Sequence, residues 1–328
     1  MNNCYSDTFW SYINGNYIVF HDQWGNLIKR AFRSGENLIS DFPDSIDLKI
    51  TNKCSWGCPF CHESSTSDGK VADIEKIKEI LSQLPEGYPI EIAIGGGNVF
   101  DSVEETQNLV DWIKNRGHCP RITINVQDLS NLTDKQSKLI YSVGGLGVSL
   151  TSLPEIKKST NPFLDREYSL RETLIGPEEG FTRKFENTKI IIHIIAGVFP
   201  ISQIDNLFEY SEFPILILGY KQWGRAKDKK LPRNLDEFAR VIKRKIYEQR
   251  TREYSRLPDV IGFDNLALEQ LDIKSALTST EWKMFYMGDE GSHSMYIDAV
   301  EGKFARTSRS EERVDWNSTG LIKFFKSL

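Results

Sequence analysis

The amino-acid sequence predicts an α/β fold in which six strand–helix units form a partial (β/α)6 barrel. Short apolar runs rich in β-branched residues recur through the middle of the chain, and segments with helical periodicity lie between them. Such runs are typical of parallel strands that are buried on both faces. In barrels of this kind the reactive groups lie on the loops that follow the strands. We therefore expect the functional residues to follow the strands.

The first strand–helix unit begins in the apolar stretch Ser45–Ile50. Its helix carries Ile74, Ile77 and Leu81 on one face, which is the spacing of an amphipathic helix. The six predicted strands are Asp47–Ile50, Ile90–Ile94, Arg121–Val126, Gly145–Leu150, Lys189–Ala196 and Ile215–Leu218. The predicted helices are Val71–Leu84, Val103–Arg116, Lys135–Val143, Arg166–Ile175 and Gln203–Tyr210.

Two smaller units flank the predicted barrel. Alternating apolar residues and turn signals near both ends of the chain favour short antiparallel strands. The three predicted units are an N-terminal β-hairpin extension (residues 1–44), the barrel (residues 45–256) and a C-terminal α+β cap (residues 257–328). The strands of the additions are Trp10–Phe20 and Asn26–Phe32, joined around Asp22–Gly25, then Val260–Phe263 and Ser294–Ala305, which folds at Glu301 and Gly302.

Composition excludes several classes of protein. The chain has 328 residues, a net charge of −5 and five cysteines, too few for a disulfide framework. Residues Met1–Trp10 lack the features of a signal peptide. The longest apolar run, Ile190–Phe199, is half the roughly 20 residues that span a bilayer. We expect a protein of the reduced cytoplasm, without a membrane partner and without general affinity for nucleic acid.

Three of the five cysteines, Cys54, Cys58 and Cys61, lie within eight residues, directly after the first strand. Three thiolates on one short loop can hold three corners of a cubane iron–sulfur cluster, whereas closed electron-transfer clusters take four cysteines. The fourth iron would then be open for chemistry. The alternative is a zinc knuckle, but structural zinc needs a fourth ligand, and His62 is awkwardly placed to supply it.

The C-x3-C-x2-C loop resembles the signature of the radical S-adenosylmethionine (SAM) superfamily, with Phe60 at its aromatic position near the SAM adenine. The resemblance implies a partial six-stranded TIM-like barrel, a 4Fe-4S cluster on Cys54, Cys58 and Cys61, and SAM bound to the open iron. One electron would cleave SAM to a 5′-deoxyadenosyl radical, which would abstract hydrogen from a substrate. Trp56 and Phe60 would either shield the cluster or serve only in packing.

Residues Gly95, Gly96, Gly97 and Asn98 follow the second strand and resemble the family's GGE element, which holds the methionine amino group of SAM. The acidic residue of that element is absent. Backbone carbonyls of the glycine run and the Asn98 amide remain as hydrogen-bond acceptors. A phosphate-binding P-loop is the rival interpretation, but no Gly-Lys-Ser/Thr follows.

Polar or small residues at the ends of later strands are further candidates for SAM binding, by the same resemblance. Asn125 ends the third strand, Ser149 and Thr151 end the fourth, and Gly197 follows the fifth. The alternative for Asn125, Ser149 and Thr151 is a purely structural role, because such side chains commonly cap strand ends. His193 lies inside an apolar strand, which favours a core histidine over the alternative of a catalytic base.

The loop after the sixth strand contains Lys221 and Arg225. It begins a stretch ending at Arg256 with thirteen Lys and Arg against five Asp and Glu. Such a stretch is most often a solvated helix face. Its position at the barrel mouth makes Lys221 and Arg225 candidates for binding a carboxylate or phosphate on SAM or on substrate.

The C-terminal stretch 287–305 resembles the hairpin of the auxiliary-cluster (SPASM or twitch) extensions, but without their cysteines. Cys4 and Cys119 alone cannot build a second cluster, so one cluster is expected. The hairpin would then serve as a lid or substrate wall. The candidate wall residues are Asp264, Asn265, Asp289 and His293.

The resulting hypothesis is a single-cluster radical SAM enzyme with an unidentified substrate. The hairpin favours a peptide or protein, whereas the basic loop favours a nucleotide or phosphorylated metabolite. Two further functions fit the sequence: an iron–sulfur sensor without catalysis, and an activase for a glycyl-radical protein. An electron donor such as flavodoxin or ferredoxin is implied by the family alone.

Overall fold

A computed structural model describes residues 10–21, 27–33, 35–154, 188–230, 232, 234–251, 258 and 260–328. These residues contain two sheets, one of three strands and one of ten. The α/β prediction is confirmed, and all six predicted barrel strands are present. The predicted helix Arg166–Ile175 and the predicted turn Asp22–Gly25 lie outside the described residues.

The strands of the ten-stranded sheet are β4 Ser45–Thr51, β5 Glu91–Gly96, β6 Cys119–Asn125, β7 Gly145–Leu150, β8 Lys189–Ile195, β9 Ile215–Leu218, β10 Ile261–Phe263, β11 Ser294–Asp298, β12 Lys303–Ala305 and β13 Val314–Asp315. Their order across the sheet is β10-β9-β8-β7-β6-β5-β4-β11-β12-β13. All neighbours from β10 to β11 are parallel, and β12 and β13 are antiparallel.

Helices follow the strands and cover the outer face of the sheet. The first begins at Ile74, later than predicted, because Asp73 caps it: the Asp73 carboxylate accepts from the backbone amides of Glu75 and Lys76. The helices are α1 Ile74–Leu81, α2 Val103–Asn115, α3 Asp134–Ser142, α4 Ile204–Tyr210, α5 Leu235–Thr251, α6 Asn265–Gln270, α7 Ser279–Phe285 and α8 Leu321–Phe325. None of the described helices is both long and apolar enough to cross a membrane.

The two faces of the large sheet differ in chemistry. On β4, Ile46, Leu48 and Ile50 are buried beneath the helices, whereas Asp47 and Lys49 point to the inner face. The inner face also carries an ion pair of Glu91 with Arg121 and the partly exposed His193. The predicted burial on both faces therefore holds for the outer face, whereas polar, partly exposed groups line the inner face, because the described strands do not close into a ring.

His193 lies on this inner face, paired in register with Ser149, and is partly exposed. A side chain on Gly147 would come within 2.4 Å of the His193 ring, so the glycine makes room for the imidazole. Desolvation by the surrounding protein, together with the charge of Arg121, lowers the pKa of His193 to about 4.

The N-terminal sheet has three strands, β1 Trp10–Asn14, β2 Tyr17–His21 and β3 Leu27–Ala31, instead of the predicted two. The predicted strand Trp10–Phe20 reverses at Gly15 and Asn16, a two-residue hairpin loop in which Gly15 has a φ of +59°. A side chain on Gly15 would lie 1.8 Å from the carbonyl oxygen of Ile39. The Gly15-Asn16 pair inside the predicted strand therefore forms a turn.

Candidate functional site

The cysteine loop, residues Cys54–Cys61, leaves the carboxyl end of β4 beside the end of β5. Its entry is fixed by backbone bonds: the amide of Cys54 donates to the carbonyl of Thr66 at 2.8 Å, and the amide of Asn98 donates to the carbonyl of Lys53 at 2.8 Å. All three cysteines of the loop are free thiols and partly exposed. The strand ends therefore hold the loop at the face where barrel chemistry takes place.

The glycine run after β5 packs directly against the start of this loop. A side chain on Gly97 would lie 2.0 Å from the Lys53 carbonyl oxygen, and one on Gly96, whose φ is +115°, would lie 2.3 Å from that of Thr51. No atom in the described part of the chain lies within 4 Å of the same position at Gly95. Gly96 and Gly97 are thus needed for the approach of the chain to itself, and Gly95 is the member that borders open space.

Two carboxylates hold the first half of the cysteine loop. Asp101 accepts from the amide of Ser55 at 3.0 Å. Asp128 accepts from the indole N–H of Trp56 at 3.1 Å and from the side-chain amide of Asn98 at 3.3 Å. Sequence reasoning did not find either carboxylate.

Asn98 and Asn125 both serve as caps in this structure. The Asn98 side-chain oxygen accepts from the amide of Phe100 at 3.0 Å. The Asn125 side-chain oxygen accepts from the backbone amide of Gln127. The backbone amide of Asn125 donates to the Asp128 carboxylate at 3.1 Å. The Asn125-x-x-Asp128 spacing of this capping box was the available signal for Asp128.

The second half of the loop is covered by a strap, residues Gly224–Lys229, which follows β9. The amide of Arg225 donates to the carbonyl of Cys61 at 3.0 Å, and its guanidinium donates to the carbonyls of Cys58 and Ser65 at 2.9 and 2.6 Å. Lys229 Nζ donates to the carbonyl of Pro59 at 2.7 Å. The predicted site residue Arg225 therefore contacts the cysteine loop itself.

Comparison with known proteins assigns this part of the chain. The model of the radical SAM superfamily matches residues 48–204, which include the cysteine loop and the glycine run. Residues 48–204 are a radical SAM domain. A search of curated protein sequences finds no match.

Solved structures agree on the fold. SuiB from Streptococcus suis bound to the precursor peptide SuiA matches with a TM-score of 0.60 and 15% identity, over 88% of this chain and 65% of that chain. SuiB bound to S-adenosylmethionine matches with a TM-score of 0.56 and 16% identity, over 88% and 66%. The chain thus spans about two thirds of the length of these neighbours.

Proteins of the radical SAM family use a 4Fe-4S cluster and SAM, and the thiols of this domain fit such a cluster. Burial raises the pKa values of Cys54 and Cys58, and the neighbouring thiols act in the same direction. Cationic iron would stabilise the thiolates instead. Nη2 of Arg225 is buried without a hydrogen-bond partner among the described residues, a donor that an anionic cluster would suit.

A single metal ion is a different case. Among the described residues, no three His, Cys, Asp or Glu side chains converge as they would around one ion. A cubane needs no such convergence, because each thiolate binds its own iron.

The remaining predicted site residues lie around the mouth of the radical SAM domain. Ser149 pairs in register with both Asn125 and His193 on the inner face. Lys221 donates to the hydroxyl of Ser308 at 3.0 Å. Gly197, with a φ of +75°, packs against Pro232. Phe60 and Thr151 are partly exposed. Their predicted contacts with SAM stay predictions.

A buried charged network joins the radical SAM domain to the C-terminal hairpin, β11 and β12. Lys49 Nζ lies 2.8 Å from Glu63 and 3.1 Å from Asp298, and Arg313 lies 2.7 Å from Asp298. Burial alone would raise the pKa of Glu63, but hydrogen bonding to His62 and the charge of Lys49 hold it well below its usual range. Sequence reasoning missed this network because its members lie far apart in the chain.

The predicted wall residues divide between the two ends of the sheet. Asp264 caps α6 by accepting from the backbone amide of Ala267, and it also accepts from the backbone amide of Gly219. The Asn265 side-chain amide donates to the carbonyl of Gly288 at 3.0 Å. Asp289 accepts from the hydroxyl of Tyr286.

His293, a predicted wall residue, precedes β11 at the amino end of the sheet, opposite the end that carries the cysteine loop. Its Nδ1 lies 2.7 Å from the hydroxyl of Ser40. Nearby, Asp44 is paired with Lys29 at 2.8 Å and accepts from Tyr17 at 2.7 Å. This end of the sheet anchors the N-terminal strands.

Proposed function

We propose that the protein is a radical SAM enzyme that binds one 4Fe-4S cluster through Cys54, Cys58 and Cys61 and binds SAM beside it. A cluster bound there would supply the electron that cleaves SAM, and the carbon radical produced would take hydrogen from the substrate. The observation that carries the proposal is the cysteine loop, held at the carboxyl end of β4 next to the open space at Gly95.

The residues of the chain have separable tasks in this proposal. Asp128 and Arg225 hold the two halves of the cysteine loop from opposite sides. The backbone at Gly95 can contact the methionine part of SAM, because no atom of the described residues occupies its Cβ side.

We propose a peptide or protein as substrate. A fold neighbour is bound to a precursor peptide, and the inner face of the sheet offers charged groups to polar side chains. The Asp47 side chain faces the open space of the inner face. Desolvation by the surrounding protein raises its pKa to about 6, and Glu290, Glu91 and Asp264 add to this effect against the charge of Lys221. Arg225 and Lys229 of the strap donate to backbone carbonyls rather than facing open space. These contacts weaken the case that the two side chains bind a phosphorylated substrate.

The cysteine content supports a reduced cytoplasm, and flavodoxin or ferredoxin is proposed as the electron donor. Protein reconstituted without oxygen should form 5′-deoxyadenosine from SAM when dithionite is added. Cys58→Ala should lose most iron and most product, whereas the control Cys119→Ala should keep both. A full cluster without SAM cleavage would instead favour the sensor.

The substrate class needs its own experiment. Deuterium should pass into 5′-deoxyadenosine from a fully deuterated peptide mixture. Transfer from deuterated nucleoside phosphates, and none from peptides, would contradict the peptide proposal.

A further inference from the structure

The strap concentrates unusual polar contacts on the cysteine loop. Three donors of Arg225 reach three carbonyls of the segment Cys58–Ser65, at 2.6 to 3.0 Å. Lys229 reaches a fourth carbonyl in this segment, that of Pro59. Hydrogen bonds from charged donors are stronger than neutral ones, so this half of the loop is held mainly by two cationic side chains.

Steric fit supports the same contact. Gly224 has a φ of +56°, and a side chain there would lie 2.4 Å from the carbonyl oxygen of His62 and 2.8 Å from that of Cys61. The strap backbone therefore lies directly on the loop. The side-chain amide of Gln222, just before the strap, donates to the carbonyl of Lys229, the last strap residue, at 2.9 Å. This bond links the two ends of the segment.

We propose that Arg225 is a positioning residue that fixes the second half of the cysteine loop and keeps a permanent positive charge beside the cluster. This inference rests on the proposed function, because the charge matters only if a cluster is reduced there. Arginine stays protonated at all relevant pH values. A guanidinium fork also makes several directed bonds at once, which a lysine cannot reproduce.

The charge has a defined electrostatic effect. Reduction adds one negative charge to the cluster, and a nearby cation stabilises the reduced form relative to the oxidised form. Net charge and hydrogen bonding are among the factors that set cluster potentials. Loss of Arg225 should therefore make the cluster harder to reduce, by roughly tenfold in the equilibrium constant, or about 59 mV for a one-electron couple.

The test compares Arg225→Gln and Arg225→Lys with Arg244→Gln, a control at an exposed arginine paired with Asp205 on the helical side. Iron content and midpoint potential are measured on reconstituted protein by an EPR-monitored redox titration. Arg225→Gln should lower the potential, Arg225→Lys should restore part of the shift, and the control should match the wild type. Wild-type iron content and potential in Arg225→Gln would overturn the proposal.

A measurement on metal-free protein separates this inference from the proposed function. Hydrogen exchange of the amides in Cys58–Ser65 should be faster in Arg225→Gln, by roughly tenfold, with unchanged exchange in the outer strands. If the wild type binds no cluster, the proposed function fails, yet this exchange still tests the positioning. Equal exchange in both proteins would overturn it.

Discussion

Asp298 is the most deeply buried member of the charged network, with a side chain 1% exposed. Its carboxylate accepts from Lys49 at 3.1 Å, from Arg313 at 2.7 Å and from the amide of Glu301 at 3.1 Å. Asp298→Ala removes all three bonds and leaves Lys49 with Glu63 as its remaining partner. Breaking a buried ion pair from one side costs about 3–5 kcal/mol. We expect the free energy of unfolding to fall by about 3 kcal/mol, because Lys49 keeps one partner.

Urea unfolding of metal-free protein measures this loss. The matched control is Asp41→Ala, since the pair of Asp41 with Lys326 is exposed, at 64% and 52%, and such pairs contribute about 0–1 kcal/mol. Asp298→Asn keeps the shape and should fall between the two. An equal loss in Asp298→Ala and Asp41→Ala, with the same dependence on urea, would refute the structural role of the network.

Two further predictions concern packing and pH. Gly97→Ala should destabilise the metal-free protein by about 1–3 kcal/mol, because the new side chain would meet the Lys53 carbonyl. The control Gly95→Ala should change the unfolding free energy by no more than about 0.5 kcal/mol. Equal losses of unfolding free energy for the two variants, measured by urea unfolding, would contradict this. Burial lowers the pKa of His293 to about 4, so between pH 6.5 and pH 4 the unfolded chain binds the extra proton, and stability falls as the pH falls through this window. His293→Gln should reduce the loss of unfolding free energy between pH 7 and pH 5, and an unchanged loss would count against this assignment.

Local patterns in the sequence predicted the features that depend on neighbouring residues. The six barrel strands follow from apolar periodicity, and the cysteine loop follows from the spacing of Cys54, Cys58 and Cys61. The missed turn at Gly15 and the missed carboxylate Asp128 also had local signals, a glycine beside asparagine and a capping-box spacing.

Other features could not be predicted because they depend on contacts between distant parts of the chain. Lys49 and Asp298 are 249 residues apart, and they meet only because β11 pairs beside β4. Arg225 is 167 residues from Cys58. A basic residue at a barrel mouth gave no indication that its donors would be directed to backbone carbonyls rather than to a ligand.

The contacts of the cysteine loop have opposite charge on its two sides. Asp101 and Asp128 accept from donors in the first half of the loop, and Arg225 and Lys229 donate to carbonyls in the second half. These bonds satisfy polar groups of the loop without any metal. Ordering a residue costs roughly 1–2 kcal/mol of conformational entropy, so a loop ordered in the metal-free protein lets cluster binding proceed without that cost.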